Sequence, residues 1–149
     1  MKKKLQTTFH STLHMSSPDY ELHYYEDSAL SQVDFHTHNY YELCFFLEGD
    51  IDMQVKDQTY PITSGDILLI PPFLSHRSIT KSYQEPYRRF VLWLSQDYYN
   101  QLLTSSPDYA YLMQYVTEET CCVFHTDQAN FHAMQSKFLR LLEEMHAKK

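Results

Sequence analysis

The sequence predicts a mainly β domain, a sandwich or closed barrel, followed by two or three C-terminal α-helices. Three observations carry that expectation. Short runs of Tyr, Phe, Val, Ile and Leu alternate with turn residues from Glu21 to about Ser95. Past Ser95 the apolar spacing changes from strand-like to helical. At 149 residues, the chain has the length of one domain with a core of its own.

Residues 1–20 are polar, lack a clean period and end at Ser16-Ser17-Pro18-Asp19, which reads as a flexible arm. The strand texture then begins. Tyr41 to Leu47 is one apolar run, and Gly49-Asp50 is a tight turn leading into Ile51 to Val55. There Ile51, Met53 and Val55 alternate with polar neighbours, as in a strand wet on one side. Asp57-Gln58 turns the chain into Thr59 to Ile62, and Thr63-Ser64-Gly65-Asp66 turns it into the solid run Ile67 to Ile70. Arg88 to Leu94 is the last strand, with Arg88-Arg89 as its solvated end. Strands this short and this closely spaced suit a sandwich or barrel.

A short helix is expected over Gln96–Leu103, which closes the barrel segment 21–103, and another over Pro107–Val116, with Pro107 suited to a first turn. In the helical segment 104–149, Asp127 is an N-cap for a third helix. Its residues Phe131, Met134, Phe138, Leu141 and Met145 recur at steps of three and four. That stripe suits a coiled-coil seam with a second copy, making this a dimerisation and linker segment. A helix docked on its own barrel needs the same stripe.

Composition excludes several functions. A formal charge of −7 argues against a phosphate-gripping surface. No apolar run is long enough to span a bilayer, and the basic start lacks the apolar centre of a signal peptide. Three cysteines, with Cys121 and Cys122 adjacent, do not form an even disulfide framework, and a reducing cytoplasm is the expected setting.

The most specific feature is His36-Thr37-His38-Asn39-Tyr40-Tyr41-Glu42 with Gly49 beyond it, and then Gly65 to Pro71 with His76. Residues two apart on a strand share a face, so His36, His38 and Glu42 project together if the strand is continuous. Three imidazoles and a carboxylate suit one borderline divalent metal, Zn, Ni, Fe or Mn. They equally suit a polar lining that hydrogen-bonds a ligand or water, since buried polar groups need partners. Trp93 is either a platform for a ligand or core. Tyr40, Tyr41 and Phe73 flank the site, and the other histidines, including His23 and His125, are expected at the surface.

These residues resemble the two motifs of the cupin superfamily. H-x-H-x(3)-E-x(6)-G falls on His36, His38, Glu42 and Gly49, and G-x(5)-P-x(4)-H falls on Gly65, Pro71 and His76. The only two glycines stand at the two motif glycines, where a tight turn or positive φ is wanted. Leu30, Phe73 and Thr80 depart from the motif, which has Gly, Gly and Asn there. The resemblance implies a double-stranded β-helix, or jelly-roll, barrel.

Tyr41-Glu42-Leu43, Leu47-Glu48-Gly49, Tyr60-Pro61-Ile62, Gly65 to Pro72, Ser75-His76 and Arg89 to Ser95 look narrower still. They resemble the N-terminal sensing domain of AraC-type transcription regulators, strongly over residues 25–103. That likeness implies a small effector, a sugar or related metabolite, held in the barrel near His36, His38, Glu42, His76, Phe73 and Trp93. It implies homodimerisation through a following helix, and DNA contact only through a domain outside this chain. It implies no catalysis. The other function the four ligand-type residues suit is a stand-alone metal-dependent enzyme, a dioxygenase or isomerase.

Overall fold

The computed structural model describes residues 15–28, 34–119 and 122–147. Most of the predicted arm, together with Leu30 and Cys121, lies outside the described residues. Eight strands and three helices follow in order: β1 (Tyr20–Asp27), β2 (Tyr41–Glu48), β3 (Asp50–Val55), β4 (Gln58–Pro61), β5 (Ile67–Ile70), β6 (His76–Ser82), β7 (Tyr87–Leu94), α1 (Gln96–Ser105), α2 (Asp108–Glu119), β8 (Val123–Phe124) and α3 (Gln128–Ala147). The strands form two antiparallel sheets, ordered β1-β7-β2-β5-β8 and β4-β3-β6. This is the cupin-type barrel with C-terminal helices.

Chain turns create the wall. After β2 the chain crosses to the smaller sheet at Gly49, whose φ is 136°, and it returns to the larger one at Gly65, with φ 93°. A Cβ on Gly65 would stand 2.8 Å from Thr126 Oγ1, so that corner needs glycine for space as well as for its dihedral. Asp66 is 1% exposed and accepts from the Thr63 N–H and hydroxyl, and His125 Nδ1 lies 2.7 Å from its other oxygen. His125, expected as an unattached surface group, thus ties the chain before α3 to the barrel corner. Phe73 has φ 68°, the left-handed conformation that the motif glycine would adopt freely. The turn is therefore retained with a strained residue in place of glycine.

Why some strands read as solid and others as alternating now has a cause. Ile51, Met53 and Val55 of β3 face the interior while its other residues are exposed or partly wet. The larger sheet is covered on both sides. Cys44, Phe46, Tyr87, Val91 and Trp93 point inward. Leu22, Phe45, Leu47 and Phe90 point outward, onto Phe138 and Leu142 of α3. Strands buried on both faces lose their alternation.

Asp127 caps α3, its Oδ1 accepting from the Asn130 N–H at 2.8 Å. The helical stripe corrects one expectation. Phe138 is buried, and Phe131, Met134, Leu141 and Met145 pack on the same outer cluster of the sheet. The five residues assigned to a partner helix face their own barrel instead. Phe45 and Phe90 stack on Phe138 at 5.5 Å each, so the sheet's outward aromatics attract the stripe within the same chain.

Candidate functional site

His36, His38 and His76 converge. One ligand atom from each lies within 4.8 Å of the others. The route differs from the one strand parity suggested. β2 begins only at Tyr41, with a bend at Asn39 and Tyr40, so His36 and His38 precede the strand. An isolated bridge supplies the alignment. His36 and His76 exchange both backbone hydrogen bonds at 3.1 Å, which brings their rings to 4.4 Å. The Phe73 N–H donates to the His38 carbonyl at 2.8 Å and pins the second segment.

Each imidazole is oriented by a neighbouring carbonyl. His36 Nδ1 lies 3.1 Å from the Asp34 oxygen, His38 Nδ1 3.0 Å from Tyr40, and His76 Nδ1 2.7 Å from Leu74. A carbonyl only accepts, so Nδ1 carries the proton and Nε2 turns its lone pair to the cavity. Among the described residues, His38 Nε2 and His76 Nε2 are buried without a hydrogen-bond partner. Burial pushes the His76 imidazole below its ordinary value, against the upward pull of Glu42, and so favours the neutral ring.

Glu42 stands beside this group. Its oxygens are 3.6 Å from His38 Nε2 and 3.7 Å from His76 Nε2, too far for hydrogen bonds. Burial alone would raise its carboxyl. The Trp93 N–H works against burial and lowers it. Trp93 donates to Glu42 Oε1 at 2.9 Å, its register partner across β2 and β7. Trp93 is 4% exposed, so it is a core residue that also orients the carboxylate.

Three imidazoles whose Nδ1 atoms are already committed to carbonyls, plus a nearby carboxylate, fit a divalent metal. The two partnerless Nε2 atoms are the observation that makes the fit, because a buried acceptor without a partner is costly. A polar lining satisfied by a ligand's own donors would use the same lone pairs.

His36, His76, Glu42 and Trp93 line a cavity of about 60 Å³. That is well below the roughly 300–1,000 Å³ usual for small-molecule pockets, so as it stands it does not admit a sugar. Phe73 is absent from its lining. It is 67% exposed and borders a separate open groove with Lys56, Pro71, Leu74 and Val116. Phe73 is therefore placed apart from the histidines it was grouped with. The sequence reading also missed Arg89, which is 3% exposed and lines the histidine cavity, while Arg88 points outward to Glu48. Parity with Trp93, four residues on, would have turned Arg89 inward. His23 is likewise only partly exposed and packs against Trp93, with ring centroids 4.7 Å apart.

Comparison with known proteins places these features in context. Residues 18–148 match the AraC-like ligand binding domain. Among solved structures, a cupin 2 conserved barrel domain protein from Salinispora arenicola is 18% identical, with a TM-score of 0.49 over 61% of this chain and 79% of that one. A cupin-2 domain containing protein from Shewanella frigidimarina is 19% identical, with a TM-score of 0.43 over 52% of this chain and 72% of that one. A salicylate 1,2-dioxygenase from Pseudaminobacter salicylatoxidans is 19% identical, with a TM-score of 0.47 over 52% of this chain but 22% of that one. At such identity none of these speaks to function. No curated protein sequence matches the chain.

Proposed function

We infer the function from the premise that this chain belongs to the AraC-like ligand binding domain family. It is an effector-sensing domain of a transcription regulator, without catalysis of its own, working in the cytoplasm. The sensor is the barrel cavity, and its centre is one divalent metal, Zn, Ni, Fe or Mn, on His36, His38 and His76 with Glu42 beside them. The observation that carries this is the pair of buried, partnerless Nε2 atoms facing a third imidazole. His36, His38 and His76 would hold such a metal, which would supply Lewis acidity toward an effector's donor atom. Around it, the carbonyls of Asp34, Tyr40 and Leu74 hold the imidazoles in their binding tautomer. Trp93 holds Glu42.

Signal transfer requires the effector to bind two arrangements of the chain with different affinity. The barrel touches both ends of such a device. His38 is pinned to the Phe73 turn, and Asp66 joins the barrel corner to His125 before α3. DNA contact belongs to a domain beyond these residues. Homodimerisation belongs to this reading too. With the stripe taken by the barrel, α3 offers its other side, where Leu139 is 40% exposed. No helix among the described residues is long and apolar enough to cross a membrane.

Metal analysis of protein prepared without nickel resin tests the centre. We expect about one divalent ion per chain, and His76→Ala is expected to lower affinity by more than the roughly 10- to 100-fold typical of losing a supporting partner. A folded, metal-free, chelator-insensitive protein would end the metal-centred reading. The three imidazoles also suit a metal-dependent enzyme, and turnover of substrate by the metal-loaded chain would favour that function instead.

A further inference from the structure

Phe73 is a costly residue where it stands. Its backbone is left-handed, at φ 68°, and its ring is 67% exposed, so packing offsets little of the strain. Strain of this kind persists where the surrounding structure holds it, and it clusters at ligand sites. Two backbone bonds do the holding. The Phe73 N–H donates to the His38 carbonyl at 2.8 Å, and the Lys56 N–H donates to the Ser75 carbonyl at 2.9 Å. The second bond ties the loop 71–75 to the turn between β3 and β4, and both border an open groove of about 410 Å³. That volume falls within the roughly 300–1,000 Å³ of small-molecule pockets, which the histidine cavity does not reach.

Two chemistries line the groove. Its buried apolar residues are Val55 from the barrel, Val116 from α2 and Cys122 just before β8, so it lies where barrel and helices meet. Pro71 and Pro72 stand beside Phe73 in the lining, and together they offer a rigid apolar surface with an aromatic face, suited to a flat ring. Across the turn, Lys56 and Asp57 are exposed, and they are the only charged residues among the described lining. Neither side chain is paired with another among the described residues. Their signs select the ligand. A lone carboxylate drawn to Lys56 meets Asp57 beside it, and a lone ammonium drawn to Asp57 meets Lys56. A molecule that carries both charges satisfies both.

We propose that this groove is a second small-molecule site, for an aromatic α-amino acid in its zwitterionic form. The ring lies against Phe73 and the two prolines, the carboxylate toward Lys56 and the ammonium toward Asp57. The site is separate from the histidine centre and needs no metal.

The test is isothermal titration and thermal melting of the whole chain, with and without EDTA. The probes are L-tryptophan, tryptamine, which lacks the carboxylate, and indole-3-propionate, which lacks the ammonium. L-Tryptophan binds saturably and raises Tm to the same extent in EDTA, and each analogue binds about two- to fivefold more weakly, the scale of an exposed ion pair. Phe73→Gly, in which the left-handed backbone is adopted freely, stays folded and weakens L-tryptophan about three- to tenfold, the scale of one aromatic contact. Lys56→Gln closes the gap to tryptamine alone, and Asp57→Asn the gap to indole-3-propionate alone. Absence of saturable L-tryptophan binding overturns the proposal, as do equal affinity for the three compounds and wild-type affinity in Phe73→Gly. Binding that EDTA abolishes while the chain stays folded also overturns it, since the ligand would then sit on the metal centre, which that result leaves standing.

Discussion

The inner and outer faces of the five-stranded sheet share β1, β2 and β7, yet alternate residues of one strand meet opposite demands. Along β2, Glu42 and Cys44 face a small cavity, while Leu43, Phe45 and Leu47 face α3. The cavity that the inner face closes holds two imidazole nitrogens buried without partners, from His38 before β2 and His76 on β6, a cost that a ligand, water or metal would offset. Beneath α3 the outer face is aromatic and aliphatic, and its return is stability. Function and stability are thus separated by a single step of strand parity. A change on one face should leave the other nearly untouched.

Phe138→Ala is the strongest way to break that separation. It should cost about 3–5 kcal/mol in urea unfolding, as for other buried Phe truncations, with metal affinity in the folded state unchanged. Altered metal affinity there would mean that the faces are coupled through the sheet. Trp93→Phe sharpens the opposite side. It keeps most of the apolar volume but removes the N–H that holds Glu42, so metal affinity should fall about tenfold, the scale of a lost supporting partner, in isothermal titration. Loss of stability without loss of metal affinity would reduce Trp93 to packing alone.

Glu21, on the edge strand β1 opposite Trp93 in register, tests a polar contact outside the histidine group itself. Burial would raise its carboxyl, but the Ser16 hydroxyl and N–H and the Ser17 N–H outweigh that and leave it below its ordinary value. A lowered folded-state value means stability that is present above the unfolded value, near 4.5, and is lost as pH falls through the folded one. Glu21→Gln should therefore cost about 1–2 kcal/mol at neutral pH, and the gap to wild type should close below about pH 4. A gap that stays constant into acid would show that the charge is irrelevant. The smallest effect is at Phe73, where Gly would relieve the left-handed backbone. Phe73→Gly should raise stability by about 1 kcal/mol and leave the metal centre as it is. A fall in metal affinity would show that the side chain supports the His38 segment.

The strands, their turns and the histidine set were legible in the sequence because local signals carry them. Gly49 and Gly65 stand at the two corners that need positive φ, and His36, His38, Glu42 and His76 keep motif spacing. β8 was not legible, since two residues carry no period and exist as a strand only by pairing with Ile67 and Leu68. Arg89 was read as solvated because a charged pair at a strand end usually is. Its burial depends on Asp27, Tyr25 and Tyr87, which come from distant sequence.

By itself the sequence determined that this chain is a β barrel with helices behind it, and that three imidazoles and a carboxylate belong to one site. Those features rest on periodicity, tight turns and residue chemistry, all of which are local. Only the tertiary structure decided what the α3 stripe covers, how small the cavity is, and that a guanidinium lines it. An apolar stripe specifies burial but not its partner, and a cavity is the space between side chains that meet only once the sheets have closed.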